Sequence, residues 1–177
     1  MGTALLTHTE HRDTFARNLI TMEIRRYLPG EEPSIWEVYY RATRESNSRD
    51  YHPDLIARWA PDDQDETEWS HRLREKNPFV AILEEGIVGM AEVDSNGWID
   101  YFYVDPSFQG RGVGKALMAR ILEEAEAQEV DQLRADVSLT ARTFFESQGF
   151  QVTEARSNVI LGHPAPNFAM SRNLRCE

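Results

Sequence analysis

Trp98-Ile-Asp-Tyr-Phe-Tyr-Val-Asp-Pro-Ser-Phe-Gln-Gly-Arg-Gly-Val-Gly-Lys-Ala-Leu-Met-Ala-Arg120 changes character twice within its length. Residues 98–104 are apolar and aromatic, the composition of a strand, and Asp105-Pro106 ends the run because proline gives no N–H to a ladder. Glycines then fall at 110, 112 and 114. Without β-carbons the backbone can curl there and aim several N–H groups at one point, which makes a nest for an anion. From Val113 onward, Val113, Ala116, Leu117, Ile121, Leu122 and Ala125 recur at helical spacing. The nest therefore opens onto a helix N-terminus, whose free N–H groups and dipole favour phosphate.

Three phosphate-binding patterns compete for this turn. A Walker loop needs a glycine four residues before Gly-Lys and a hydroxyl after it; Gln109 and Ala116 stand in those places. A dinucleotide fingerprint, which would make the chain a nucleotide-dependent oxidoreductase, needs G-x-G-x-x-G, and Lys115 occupies the site of the third glycine. The third pattern, Q/R-x-x-G-x-G/A, is matched at every specified position by Gln109-Gly110-Arg111-Gly112-Val113-Gly114. In this it resembles the pyrophosphate loop of the GNAT superfamily of acyl-CoA N-acyltransferases. A second stretch, Ser138-Leu-Thr-Ala141-Arg-Thr-Phe144-Phe145-Glu-Ser-Gln-Gly149-Phe150, is similar to that family's second cofactor segment, N-x-x-A-x-x-F-Y-x-x-x-G-F, with the same internal spacing. Thr140 is the expected cap of a short helix there, and Gly149 the left-handed residue that stops it.

The resemblance implies an α/β (α+β) fold: one domain with a mixed, mostly antiparallel central sheet, helices on both faces and a V-shaped opening between the fourth and fifth strands. It covers residues 20–174, leaving an N-terminal extension, 1–19, without an assigned role and a short tail, 175–177. A chain of 177 residues is one domain's worth of sequence and buries a sizeable core. The single cysteine, Cys176, has no partner, so no disulfide framework is expected. The first twenty residues hold charged and histidine side chains instead of an apolar signal core, and no apolar run is long enough for a bilayer, so a cytoplasmic protein is expected. A formal charge of −11 argues against a nucleic-acid partner and favours a cationic acceptor. Arg111, Lys115 and Arg120 are expected to gather around the turn and offset this charge locally. No metal is expected, and a homodimer is compatible with the sequence.

Along the rest of the chain, alternation predicts a first strand over Ile20–Leu28, and Ser34 is the expected N-cap of a helix carrying Ile35, Trp36, Val38, Tyr39 and Ala42. A short helix follows from Pro53, an acidic start leads into a helix ending near Lys76, and Phe79–Leu83 and Ile87–Val93 form a hairpin. Asp94-Ser-Asn-Gly97 turns the chain into the strand Trp98–Val104. After a strand near 132–137, segments 151–156 and 167–174 read as a closing strand pair with an irregular connection.

By resemblance, the pantetheine arm of acetyl-CoA slots into the V like a missing strand. The backbone of Phe102, Tyr103 and Val104 lies beside it, and Gln109, Gly110 and Arg111 to Lys115, Val113 and Gly114 included, hold its pyrophosphate. Ser138, Ala141, Phe144 and Phe145 complete the cofactor set, and the segment holding Tyr51, His52 and Trp59 shapes the acceptor site. The implied activity is transfer of an acetyl group to a primary amine of a small molecule or protein; the alternative is a non-catalytic acyl-CoA sensor. An alkylammonium with a pKa of about 10.4 must lose a proton before attack, so a base is needed. Glu92 and Asp100, on strands flanking the site, are the leading candidates, with Asp94, Glu23 and His52 behind them. Where the family pattern has a tyrosine that protonates the leaving thiolate, Phe145 has no hydroxyl. Tyr103, Tyr101 or water is left to substitute.

Overall fold

The computed structural model describes residues 22–84 and 86–175. Strand β1 is Glu23–Arg26, shorter than the expected Ile20–Leu28; Ile20 and Thr21, like the 1–19 extension and Cys176, lie outside the described residues. Helix α1 (Glu32–Arg41) starts two residues before Ser34, capped at Glu31, because Pro33 in its first turn supplies a helical φ where no N–H partner is needed. It continues into a π turn, Ala42–Ser46, and a 3-10 turn, Asn47–Arg49. Helix α2 spans Pro53–Trp59. Helix α3 (Glu66–Lys76) is bounded at both ends by its sequence: the Asp65 carboxylate accepts from the N–H groups of Thr67 and Glu68, and Asn77 takes a left-handed φ of 43°.

Strands β2 (Phe79–Leu83) and β3 (Gly86–Ala91) form the expected hairpin, antiparallel to each other and to β1. The run from Trp98 to Val104 is not one strand. It divides into β4 (Trp98–Ile99) and β5 (Phe102–Val104), and the two halves join different sheets. Beyond them come α4 (Val113–Ala127), β6 (Gln132–Ser138), α5 (Arg142–Ser147), β7 (Gln151–Arg156) and β10 (Asn167–Asn173). The connection expected to be irregular contains a small hairpin of β8 (Val159–Ile160) and β9 (His163–Pro164).

Two four-stranded sheets result, in the orders β1-β2-β3-β5 and β4-β6-β10-β7. β4 is parallel to β6, with Trp98 opposite Arg134 and Ile99 opposite Ala135. Two residues later the Glu92 N–H bonds the Tyr101 carbonyl, so the chain has already crossed to the first sheet. The sheets therefore diverge from a common point at Ile99. Alternation along the strands builds the two faces. Val80, Met90 and Tyr101 pack with Ile35, Trp69 and Leu73 under α1 and α3. Phe79, Ala81 and Leu83 pack with Val113, Leu117 and Ile121 of α4. Each of these fully buried aliphatic side chains contributes about 1.5–3 kcal/mol. Among the described residues, no helix is long and apolar enough to cross a membrane.

Candidate active site

The divergence leaves two facing strand edges without a partner among the described residues. Met90 lies opposite Tyr103, the Glu92 N–H bonds the Tyr101 carbonyl, and the Asp105 N–H bonds the Val88 carbonyl. Residues 101, 103 and 105 thus turn their peptide groups towards β3, and by antiparallel alternation Phe102 and Val104 turn theirs the other way. On the facing strand, pairing with β4 stops at Ala135, so Asp136 to Ser138 have no partner on that side among the described residues. Between these edges lies a cavity of about 540 Å³. Of the expected backbone ligands, Phe102 and Val104 turn their peptide groups towards the cavity; the Tyr103 peptide is committed to β3, and Tyr103, its ring packed edge-on to Tyr39, is also on the cavity wall.

At one end the cavity meets the glycine turn. Gly110 and Gly112 have φ of 74° and 89°, and Gly112 immediately precedes α4. A β-carbon on either would meet no atom within 4 Å, so these glycines serve backbone conformation and leave open space above it. Gly114 is different: its φ is not positive, and a β-carbon there would lie 3.1 Å from the Phe144 ring. Of the residues expected to hold the cofactor, all but Arg111 and Val113 lie on the cavity wall. Arg111 sits over the Phe108 ring, and Val113 is buried in the core. Arg120 does not join the turn as expected. One and a half helical turns further on, it sits over Phe79 and pairs with Glu123. The Gln109 side chain donates to Ser46 Oγ at 2.9 Å and ties the loop to the π turn.

The Phe102 ring lies 5.3 Å from Phe144 and 5.5 Å from Phe145, and Phe145 stands edge-on to Phe150. Phe145 is buried in this apolar floor, where a hydroxyl would need a partner of its own. The α5 cap also differs from expectation. The N-cap position is Ala141, with no side-chain cap bond; Ser138 Oγ accepts from the Ala141 N–H at 3.2 Å just before the helix, while the Thr140 hydroxyl donates to Asp50.

The carboxylates divide by environment. Asp100 is on the cavity wall and half-exposed, whereas Glu92 is 1% exposed and behind it. Lys76 joins them, its Nζ 2.9 Å from Asp100 Oδ2 and 3.3 Å from Glu92 Oε1, and the Asp100 N–H points at the same Glu92 oxygen. Burial pushes the Glu92 pKa up, opposed by Lys76. Burial alone would lower the Lys76 pKa, but the two carboxylates outweigh it and raise it, so the lysine stays charged. Burial raises the Tyr103 hydroxyl well above 10, which keeps it protonated. Asp94 and Glu23 have other work: Asp94 accepts from the Asn96 and Trp98 N–H groups in the turn, and exposed Glu23 lies 3.8 Å from Arg25.

A sequence profile described as "Acetyltransferase (GNAT) domain" matches residues 47–160. The chain belongs to the GNAT acetyltransferase family. An uncharacterised N-acetyltransferase of Escherichia coli, YafP, is 32% identical over 84% of this chain and 94% of its own length. A GCN5-related N-acetyltransferase from Rhodopseudomonas palustris superposes with a TM-score of 0.80 at 27% identity, covering 87% of this chain and 96% of its own. The PaiA N-acetyltransferase of Thermoplasma acidophilum, solved in complex with coenzyme A, shares the fold at a TM-score of 0.69 and 15% identity, over 87% and 99% of the two chains.

Two parts of this GNAT site escape sequence reading. Lys76 ends a helix and is distant in sequence from both carboxylates, so only packing of α3 on the first sheet brings it there. Asp136 and Val137 reach the cavity where β6 runs on past the end of β4. Conversely, the structure does not place Tyr51, His52 and Trp59 on the cavity wall. The Tyr51 hydroxyl donates to the Pro166 carbonyl and accepts from the Leu139 N–H, its ring packs edge-on to Trp59, and Leu55, Ile56 and Ala165 surround it. Tyr51, with Trp59 packed on it, supports the wall from behind at Leu139, whereas His52 is half-exposed.

The Lys76 pairing gives a stability prediction for the acetyltransferase. Lys76→Met leaves the Glu92 carboxylate buried with its largest countercharge gone, a loss of about 2 kcal/mol at pH 7 once the partial exposure of Lys76 is allowed for. A buried acid whose folded pKa is raised binds more protons folded than unfolded, so its charging costs stability as pH rises through that interval. Urea unfolding should therefore show a smaller loss as pH falls towards the carboxylate range, where protonation of Glu92 removes the unpaired charge.

Proposed function

We propose that this acetyltransferase moves an acetyl group from acetyl-CoA to a primary amine of a small molecule or protein by direct attack, with no acyl-enzyme. The observation that carries the reading is the unpaired edge of Phe102 and Val104 running into the glycine-framed N-terminus of a 15-residue helix. An amide-bearing arm that ends in a diphosphate needs that combination, and the PaiA protein bound to coenzyme A shares the fold. When bound, acetyl-CoA supplies an activated acetyl group as a thioester.

In this reading the Gly110–Lys115 amides and the Lys115 ammonium hold the diphosphate. Ser138, Ala141 and Phe144 face Phe102 across the arm, and the inward N–H groups of β5 polarise the acyl carbonyl. Asp100 accepts a proton from the ammonium form of the acceptor; the amine nitrogen then bonds the acyl carbon as the carbon–sulfur bond breaks, and the second proton lost from that nitrogen passes to the departing thiolate to give the neutral amide and the thiol. Glu92 and Lys76 fix the Asp100 position. Tyr103 donates a hydrogen bond to the departing sulfur without surrendering its proton, since a thiol near pKa 8.5 is the stronger acid.

Calorimetry with coenzyme A and a thiol-release assay over a panel of amines test this. Binding with turnover on at least one primary amine is expected; binding without turnover across the panel favours the sensor, and absence of binding overturns the reading. Gly112→Asp should weaken coenzyme A binding about thirtyfold, because a carboxylate placed over the nest opposes a diphosphate by about 2 kcal/mol at these distances. Gly112→Asn tolerates the left-handed backbone equally and carries no charge, so it should retain most of the affinity.

A further inference from the structure

On the far side of the wall supported by Tyr51, three side chains converge that acetyl transfer does not use. His52 is the N-cap of α2, and its Nδ1 accepts from the Asp54 N–H at 3.2 Å. Asp54 Oδ2 lies 3.6 Å from His52 Nδ1 and 3.1 Å from His163 Nε2. The two imidazole rings are stacked, 3.6 Å between centroids and 8° from parallel. We propose that His52, Asp54 and His163 form a binding site for one borderline divalent transition ion of the zinc class.

The donor set selects the ion. Two imidazole nitrogens and one carboxylate suit zinc, nickel or copper; magnesium and calcium prefer oxygen ligands throughout. One donor atom from each residue falls within 4.8 Å of the others. Tetrahedral zinc with bonds of about 2.0–2.1 Å places its ligands roughly 3.3 Å apart, so the site closes by side-chain rotation alone. A carboxylate only accepts, so the His163 Nε2 carries the hydrogen in the ion-free state; on loading, the ion takes that place and the proton sits on Nδ1. The stacked rings cannot aim both lone pairs at one point, so one ring turns about its terminal torsion. Water fills the fourth position on the exposed side.

The supports are rigid where they need to be. His163 lies opposite Ile160 in the β8–β9 hairpin, whose turn has Leu161 and Gly162 at φ of 52° and 78°. Beneath it, Ile160 and Ala165 pack on Leu55 and Ile56 of α2. An ion here clamps segments 109 residues apart. Through Tyr51, which holds Leu139 and Pro166, the clamp bears on Ser138 and Thr140 of the cavity wall. Sequence spacing does not reveal the cluster: His52 and Asp54 are close in sequence, but the third ligand is in a remote hairpin.

Untagged full-length protein titrated calorimetrically with zinc chloride tests the site, independently of whether coenzyme A binds. One ion per chain is expected. His163→Gln and His52→Ala should each weaken binding by at least about a hundredfold, since even groups behind metal ligands are worth about 10- to 100-fold. Cobalt(II) should give a tetrahedral absorption band that His163→Gln abolishes while circular dichroism shows the fold unchanged. The proposal is overturned by no stoichiometric uptake from excess zinc, or by uptake that survives both variants.

Discussion

Gly97→Val should cost about 4 kcal/mol of folding stability, the sum of backbone strain and a collision that nothing can relieve. Gly97 has a φ of 78°, and a β-carbon there would lie 2.2 Å from the Gln132 carbonyl oxygen and 2.6 Å from a Val130 methyl. The carbonyl cannot retreat, because this is where the two sheets are joined: the Gly97 carbonyl accepts from the Arg134 N–H at 2.8 Å, and the parallel pairing of Trp98 with Arg134 starts in the next residue. Gly30 supplies the reference. Its φ is 100° with no atom near an added β-carbon, so Gly30→Val carries conformational strain without collision and should cost about 1–2 kcal/mol. Urea unfolding of the two variants reads the difference. Equal losses would mean that the sheets are not pinned together at this glycine.

Asp100→Asn should lower the turnover number for an alkylamine by about a hundredfold at pH 7, the lower range for loss of a general base. Its acetyl-CoA KM should hardly change, since the cofactor is gripped elsewhere. The pH profile separates this from a structural effect. Below an amine pKa of about 10.4, each pH unit changes the free-amine fraction about tenfold. A variant without its base therefore gains on the wild type as pH rises and approaches it near the amine pKa. A merely distorted site would stay slow at every pH. Glu92→Gln should behave differently, because Glu92 is sealed behind Asp100 and acts through Lys76. If both amide variants keep the wild-type rate across the profile, the proton acceptor lies elsewhere.

Much of the fold was legible because local chemistry and tertiary structure agree. Asp65 and Asn77 bound α3, the glycines at 110 and 112 adopt the left-handed backbone that their spacing suggests, and Gly149, with a φ of 84°, follows α5 as expected. Errors fell where a side chain had a non-local choice. Thr140 had the right chemistry for a cap, but Asp50 takes its hydroxyl and α5 starts from Ala141 with no side-chain cap bond. Tyr51 and Trp59 were aromatic and near a proline-started helix, which does not distinguish a cavity lining from its backing.

The glycine turn, the helix beyond it and the Ser138–Phe150 segment were decided by sequence alone, since φ preference and helical periodicity act within a few residues. The opening itself was decided only in three dimensions. Trp98 to Val104 carries one uninterrupted strand signal, and no residue in it announces that Ile99 belongs to one sheet and Phe102 to another. Hydrogen-bond partners of a strand are set by chains distant in sequence, and so are the meeting of Lys76 with its two carboxylates and of His163 with His52.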